Sequence, residues 1–87
     1  MTNKISIEKN ARDFHVDIYV KETKVRVVAE LPGVNEENII LNLNKDTLSI
    51  SAHGADRNYY KQVELPHACK GIVGKISNNG ILEVILN

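Results

Sequence analysis

Ile72-Val73-Gly74-Lys75-Ile76-Ser77-Asn78-Asn79-Gly80-Ile81-Leu82-Glu83-Val84-Ile85-Leu86 is the stretch on which the fold turns. Apolar runs at 72–77 and 81–86 flank Asn78, Asn79 and Gly80, and an Asn-Gly pair readily takes the positive φ values that a tight β-turn demands. The segment reads as a hairpin.

Upstream, the same period-two alternation recurs between turn signals, which puts successive side chains on opposite faces of half-buried strands. In 14–20 the residues Phe14, Val16, Ile18 and Val20 share one side. In 24–31 Val25, Val27, Ala29 and Leu31 face inward and Arg26 and Glu30 outward, with Val28 breaking the pattern. Pro32 and Gly33 stop that strand, and Asn35 followed by Glu36 and Glu37 predicts a single helical turn with acidic residues near its start. Ile39, Leu41 and Leu43, a polar turn at 44–46, and Leu48, Ile50 and Ala52 form a second hairpin. After a short polar connection at 54–58, Lys61, Val63 and Leu65 alternate with Tyr60, Gln62 and Glu64 until Pro66 ends the strand. Seven short strands and no long helix predict an all-β, antiparallel two-sheet β-sandwich, immunoglobulin-like, with residues 1–13 as an N-terminal segment and 14–87 as the domain. Gly71 and Gly74 read as points of close backbone approach.

With 87 residues there is room for one core and no second, catalytic domain. Eleven basic and eleven acidic side chains cancel. Without charge segregation, the steering that draws nucleic acid or anionic lipid is missing, so neither is an expected partner. Residues 1–10 lack the continuous apolar run of a signal peptide, and no stretch approaches a membrane span. A single cysteine, Cys69, cannot form an internal disulfide, so a reducing compartment and a cytoplasmic location are expected.

No residue pattern announces catalysis or a cofactor. His67 and Cys69 lie two apart, but two ligands are not a metal site, and His15 and His53 are far off in sequence. Adjacent turn residues such as Glu36 and Glu37 do not converge on a substrate as an acid/base pair must. There is no glycine-rich phosphate loop or nucleophile elbow. Tyr59 and Tyr60 beside Arg57 and Lys61 could form a stacking platform for single-stranded nucleic acid. At zero net charge, a strand with one tyrosine inward and one outward is the favoured reading.

Four segments resemble, in order, the α-crystallin domain of the small heat-shock proteins. They are Ala29-Glu30-Leu31-Pro32-Gly33-Val34 with its acidic turn, Thr47-Leu48-Ser49-Ile50-Ser51, Val63-Glu64-Leu65-Pro66, and Asn79-Gly80-Ile81-Leu82-Glu83-Val84. Lys61 stands where that family carries an Arg, and Lys75 where Ala is usual. The resemblance implies ATP-independent capture of non-native client proteins, with an adaptor binding one folded partner as the alternative. It also implies a peptide groove between 39–44 and 72–77, for which Leu41, Leu43, Ile72 and Ile76 are candidates, and an Ile-x-Ile ligand, for which Ile5 and Ile7 are candidates. The family's exchanged strand needs a longer loop than 54–58, since five residues cannot run out and back at about 3.3 Å rise each. Together with the absence of an Ile-x-Ile tail before Asn87, that predicts a monomer or a weak dimer. The strand edge carrying Tyr59, Tyr60, Lys61 and Val63 is the expected contact.

Overall fold

The computed structural model describes residues 11–55 and 57–87. Eight strands run in chain order: β1 (Ala11–Arg12), β2 (Val16–Lys21), β3 (Lys24–Glu30), β4 (Ile39–Asn44), β5 (Thr47–His53), β6 (Asn58–Glu64), β7 (Ile72–Asn78) and β8 (Ile81–Leu86), with one 3-10 turn at Glu36–Asn38. They form two four-stranded sheets, ordered β1-β6-β5-β4 and β2-β3-β8-β7. Every pairing is antiparallel except that of β1 with β6. The chain is therefore an all-β sandwich. Among the described residues no helix is long and apolar enough to cross a membrane.

Alternation translates directly into the core. Val25, Val27, Ala29, Leu48, Ile50, Ala52, Leu82, Val84 and Leu86 have no exposed surface at all, and each comes from the inward set of its strand. Burying such aliphatic side chains is worth roughly 1.5–3 kcal/mol each before chain entropy is subtracted.

Two turns govern how the sheets close. Asn79 and Gly80 both have positive φ, 54° and 79°, as the Asn-Gly turn requires. The Gly80 carbonyl accepts from the Leu31 N–H at 2.7 Å, and a Cβ on Gly80 would meet the Pro32 Cα at 3.0 Å. Gly80 is thus the position of close approach, whereas Gly71 faces open space and Gly74 would make only ordinary contact with Ile85, which corrects the sequence expectation for both. At the other end, the connection from β6 to β7 straps the sheets together. Leu65 and Cys69 donate main-chain hydrogen bonds to Asp46 and Lys45 of the β4–β5 turn, and Lys70 bonds to Asn87 beyond β8.

β2 is shorter than the run of alternation suggested. It starts at Val16, with Phe14 buried just before it, and Ile18 and Val20 are 38% and 51% exposed although they occupy the inward side opposite Val27 and Val25. Alternation assigns a face, and whether another layer covers that face is a tertiary matter.

Candidate functional site

β4 and β7 are the last strands of their respective sheets. At one end, the strap carries the chain from the β4–β5 turn toward the start of β7. At the other, Asn35 and Glu36, just before β4, share a surface depression with Ser77 and Asn78 at the end of β7. The two edge strands therefore pass each other in opposite directions along a seam.

On the β4 side, Leu41 and Leu43 are half-buried and pack against the core. They share their face with Ile39, opposite Ile50 and Leu48 of β5. On the β7 side the register decides what enters the seam. Ile72 pairs with Leu86 and Gly74 with Ile85, so Val73 is an extra residue in the ladder. A bulge of this kind inverts the facing of everything after it. Lys75 and Ser77 consequently stand opposite the fully buried Val84 and Leu82, on the inner side. Ile76 stands opposite Glu83 on the outer face, 61% exposed.

The fold thus brings Leu41, Leu43 and Ile72 to the seam and turns Ile76 away, because one inserted residue separates the parity of 72 from that of 76. Lys75 takes the inner position instead. It carries no ion pair among the described residues and is the one charged residue at an inner-side register position of β7, where it is exposed. Gly74 inside an apolar strand is the local signal from which a bulge could have been read.

The other set of candidates is divided by the sandwich itself. Tyr59 and Val63 are buried, Lys61 is on the same inner face, and Tyr60 points outward, half-exposed. Among the described residues the main-chain edge of β6 is paired by β1 only at Asn58 and Tyr59. Lys61 works as a clasp: its Nζ donates to the Asp13 carboxylate at 2.8 Å and to the Phe14 carbonyl at 3.2 Å, and lies 5.9 Å from the centre of the Phe14 ring. Phe14 in turn meets Tyr59 edge-on at 6.0 Å. The Lys61 hydrogen bond, then the Phe14 N–H, hold the Asp13 carboxyl below the usual aspartate range. Partners 48 residues apart in sequence gave no local signal of this contact. Ile5 and Ile7 lie outside the described residues.

The remaining polar candidates stay apart. The His67 ring bonds the Ala68 carbonyl, the Cys69 thiol donates to the His67 carbonyl, and burial pushes that thiol's pKa up, away from nucleophilic use at neutral pH. No group of three His, Cys, Asp or Glu side chains converges among the described residues.

The sequence matches no protein-family profile and no curated protein. The fold does have counterparts. HspA from Xanthomonas axonopodis superposes with a TM-score of 0.75 at 22% identity, covering 86% of this chain and 92% of that one. A variant of hsp14.1 from Sulfolobus solfatataricus P2 gives 0.73 at 22% identity over 90% and 80% of the two chains. Heat shock protein 16.0 from Schizosaccharomyces pombe gives 0.72 at 21% identity over 86% of each. The sandwich is the α-crystallin-like fold of small heat-shock proteins.

Proposed function

We propose that this domain is an ATP-independent holdase that binds extended apolar segments of partly unfolded proteins in the β4–β7 seam and so limits their aggregation. The observation that carries the reading is the partly exposed set of Leu41, Leu43 and Ile72 on two strands whose outer edges are unpaired among the described residues. An extended segment laid along such an edge gains main-chain hydrogen bonds and sends every second side chain into the seam. Capture by mass action lowers the free concentration of aggregation-prone chains without driving them to refold. The fold likeness to small heat-shock proteins supports this activity, which uses no nucleotide, metal or catalytic residue.

Light scattering from a heat-labile client tests it. A several-fold molar excess of the domain should lower scattering equally with and without ATP. Ile72→Asp should abolish most of that effect, and Ile76→Asp, on the outer face, should leave it nearly intact. Equal loss from both variants, or no suppression by the unmodified domain, would sink the proposal; saturable binding to one folded protein without suppression would favour an adaptor.

A further inference from the structure

β2 ends its sheet, and among the described residues nothing pairs with its outer edge. Its six residues, Val16-Asp17-Ile18-Tyr19-Val20-Lys21, run without bulge, glycine or proline, in unbroken register with β3 from Val16 opposite Ala29 to Lys21 opposite Lys24. Ile18, Tyr19 and Val20 are 38%, 50% and 51% exposed. A straight edge without bulge or proline, unpaired among the described residues, is a template for another strand of complementary charge.

The hydrogen-bonding parity of that edge follows from one contact. The His15 carbonyl accepts from the Glu30 N–H of β3 at 3.0 Å. Main-chain groups alternate in direction along a strand, so those of Asp17, Tyr19 and Lys21 also point to β3, and those of Val16, Ile18 and Val20 point outward. An added antiparallel strand must therefore match its own outward-pointing residues to Ile18 and Val20.

We propose that the occupant of this edge is β2 of a second copy, joined about a two-fold axis at Tyr19. In that register Ile18 lies opposite Val20 of the second copy and Val20 opposite its Ile18, both in hydrogen-bonding positions of correct parity. Tyr19 meets Tyr19 across the axis. Asp17 falls opposite Lys21 of the second copy, twice over. These outer-face pairs are of the closely spaced, non-hydrogen-bonded type, where side chains are nearest. Moving the axis to Ile18 or Val20 also satisfies the parity, but sets Asp17 against Tyr19 or Thr23 and forfeits both ion pairs. The tyrosine is already positioned: the Arg26 guanidinium lies over its ring at 5.0 Å and is itself held by Glu83 at 2.8 Å. The two four-stranded sheets would become one of eight strands, and the self-complementary sequence meets the requirement that a two-fold contact use the same patch on both subunits. A six-residue edge buries little area, so the dimer is weak and reversible. It leaves the β4–β7 seam free and does not depend on the seam's function.

Sedimentation velocity over a concentration series up to about 1 mM, beyond which a contact of this kind has negligible affinity, reads the association. Asp17→Lys puts lysines opposite each other, and Lys21→Asp does the same with aspartates. Each should raise the dimer dissociation constant roughly tenfold, as two attractive cross-strand pairs become repulsive. An equimolar mixture of the two variants should restore association, because each strand then faces its charge complement. Circular dichroism melting should be nearly unchanged in both, since both side chains are exposed. A wild-type chain that stays monomeric throughout the series overturns the proposal. So does unaltered dimerisation in both variants, which would place the contact on another edge, the uncovered part of β6 first. A mixture no stronger than the single variants overturns the register.

Discussion

The two edges of the β2-β3-β8-β7 sheet carry similar side chains and are managed in opposite ways. Both expose apolar residues, Ile18, Tyr19 and Val20 on β2 and Ile72, Val73 and Ile76 on β7. On β7 the ladder is interrupted at Val73, and Lys75 takes an inner-side register position. Each of these is a known way of blunting an edge against continued pairing. β2 has none of them, and its charges, Asp17 and Lys21, sit at spacing two either side of a central Tyr19 where they complement rather than repel a second copy. Exposed hydrophobicity does not distinguish the edges; main-chain regularity does. The bulged edge interrupts the main-chain ladder that an added strand would continue, and the straight one does not.

That contrast can be broken most forcefully at the turn that anchors β7. Gly80→Val places a β-branched residue at a φ of 79° and drives its Cβ into the Pro32 backbone. The expected cost is about 2–3 kcal/mol, which at about 4–8 °C per kcal/mol for a domain of this size lowers the melting temperature by roughly 10–20 °C. Thermal denaturation followed by circular dichroism measures it. A loss under 1 °C would mean that the β7–β8 turn does not hold that edge.

A gentler change should make the two edges alike. Lys75→Val removes the inward charge while keeping the bulge, so the β7 edge and its seam become continuous apolar surface. Self-association should strengthen by up to about tenfold, with fold stability changing by less than about 1 kcal/mol because Lys75 is exposed. Concentration-dependent light scattering and a melting curve separate the two effects. Unchanged association would assign the protection of β7 to the bulge alone.

The smallest effect lies at the clasp beside β2. In Lys61→Met the Asp13 carboxyl loses its principal hydrogen bond, and its pKa should return toward the usual aspartate range in a carbon-detected NMR titration. The sign is fixed by linkage. A carboxyl that ionises at lower pH when folded adds stability above its unfolded pKa and loses it as pH falls through the folded value. The variant's stability should therefore fall less steeply with acid in that window. With Asp13 fully exposed the difference is minor, and an unchanged Asp13 titration would show that Lys61 does not hold it in solution.

Much of this was legible in the sequence. The inward sets of β3 and β5 and the Asn79-Gly80 turn follow from a period of two and from backbone sterics, both of which act over a few residues. The four ordered segments likewise pointed to the fold that the superpositions display. Other features were not legible. The sequence placed Ile76 with Ile72, and the Val73 bulge separated them. It put Ile18 and Val20 on one side with the buried Phe14, and among the described residues no opposing layer covers them. It put Tyr59 and Val63 on a contact edge, and both side chains face the core. Lys61 could be singled out, but not its partner.

What this sequence determines by itself is therefore the local grammar: which segments are strands, which residues share a face within an unbroken strand, and where the chain must turn. Only the tertiary structure decided which strands end their sheets, where the ladder slips by one residue, and which inward faces remain open. These depend on pairing between segments distant in the chain, where a single extra residue in one strand reverses every side chain beyond it.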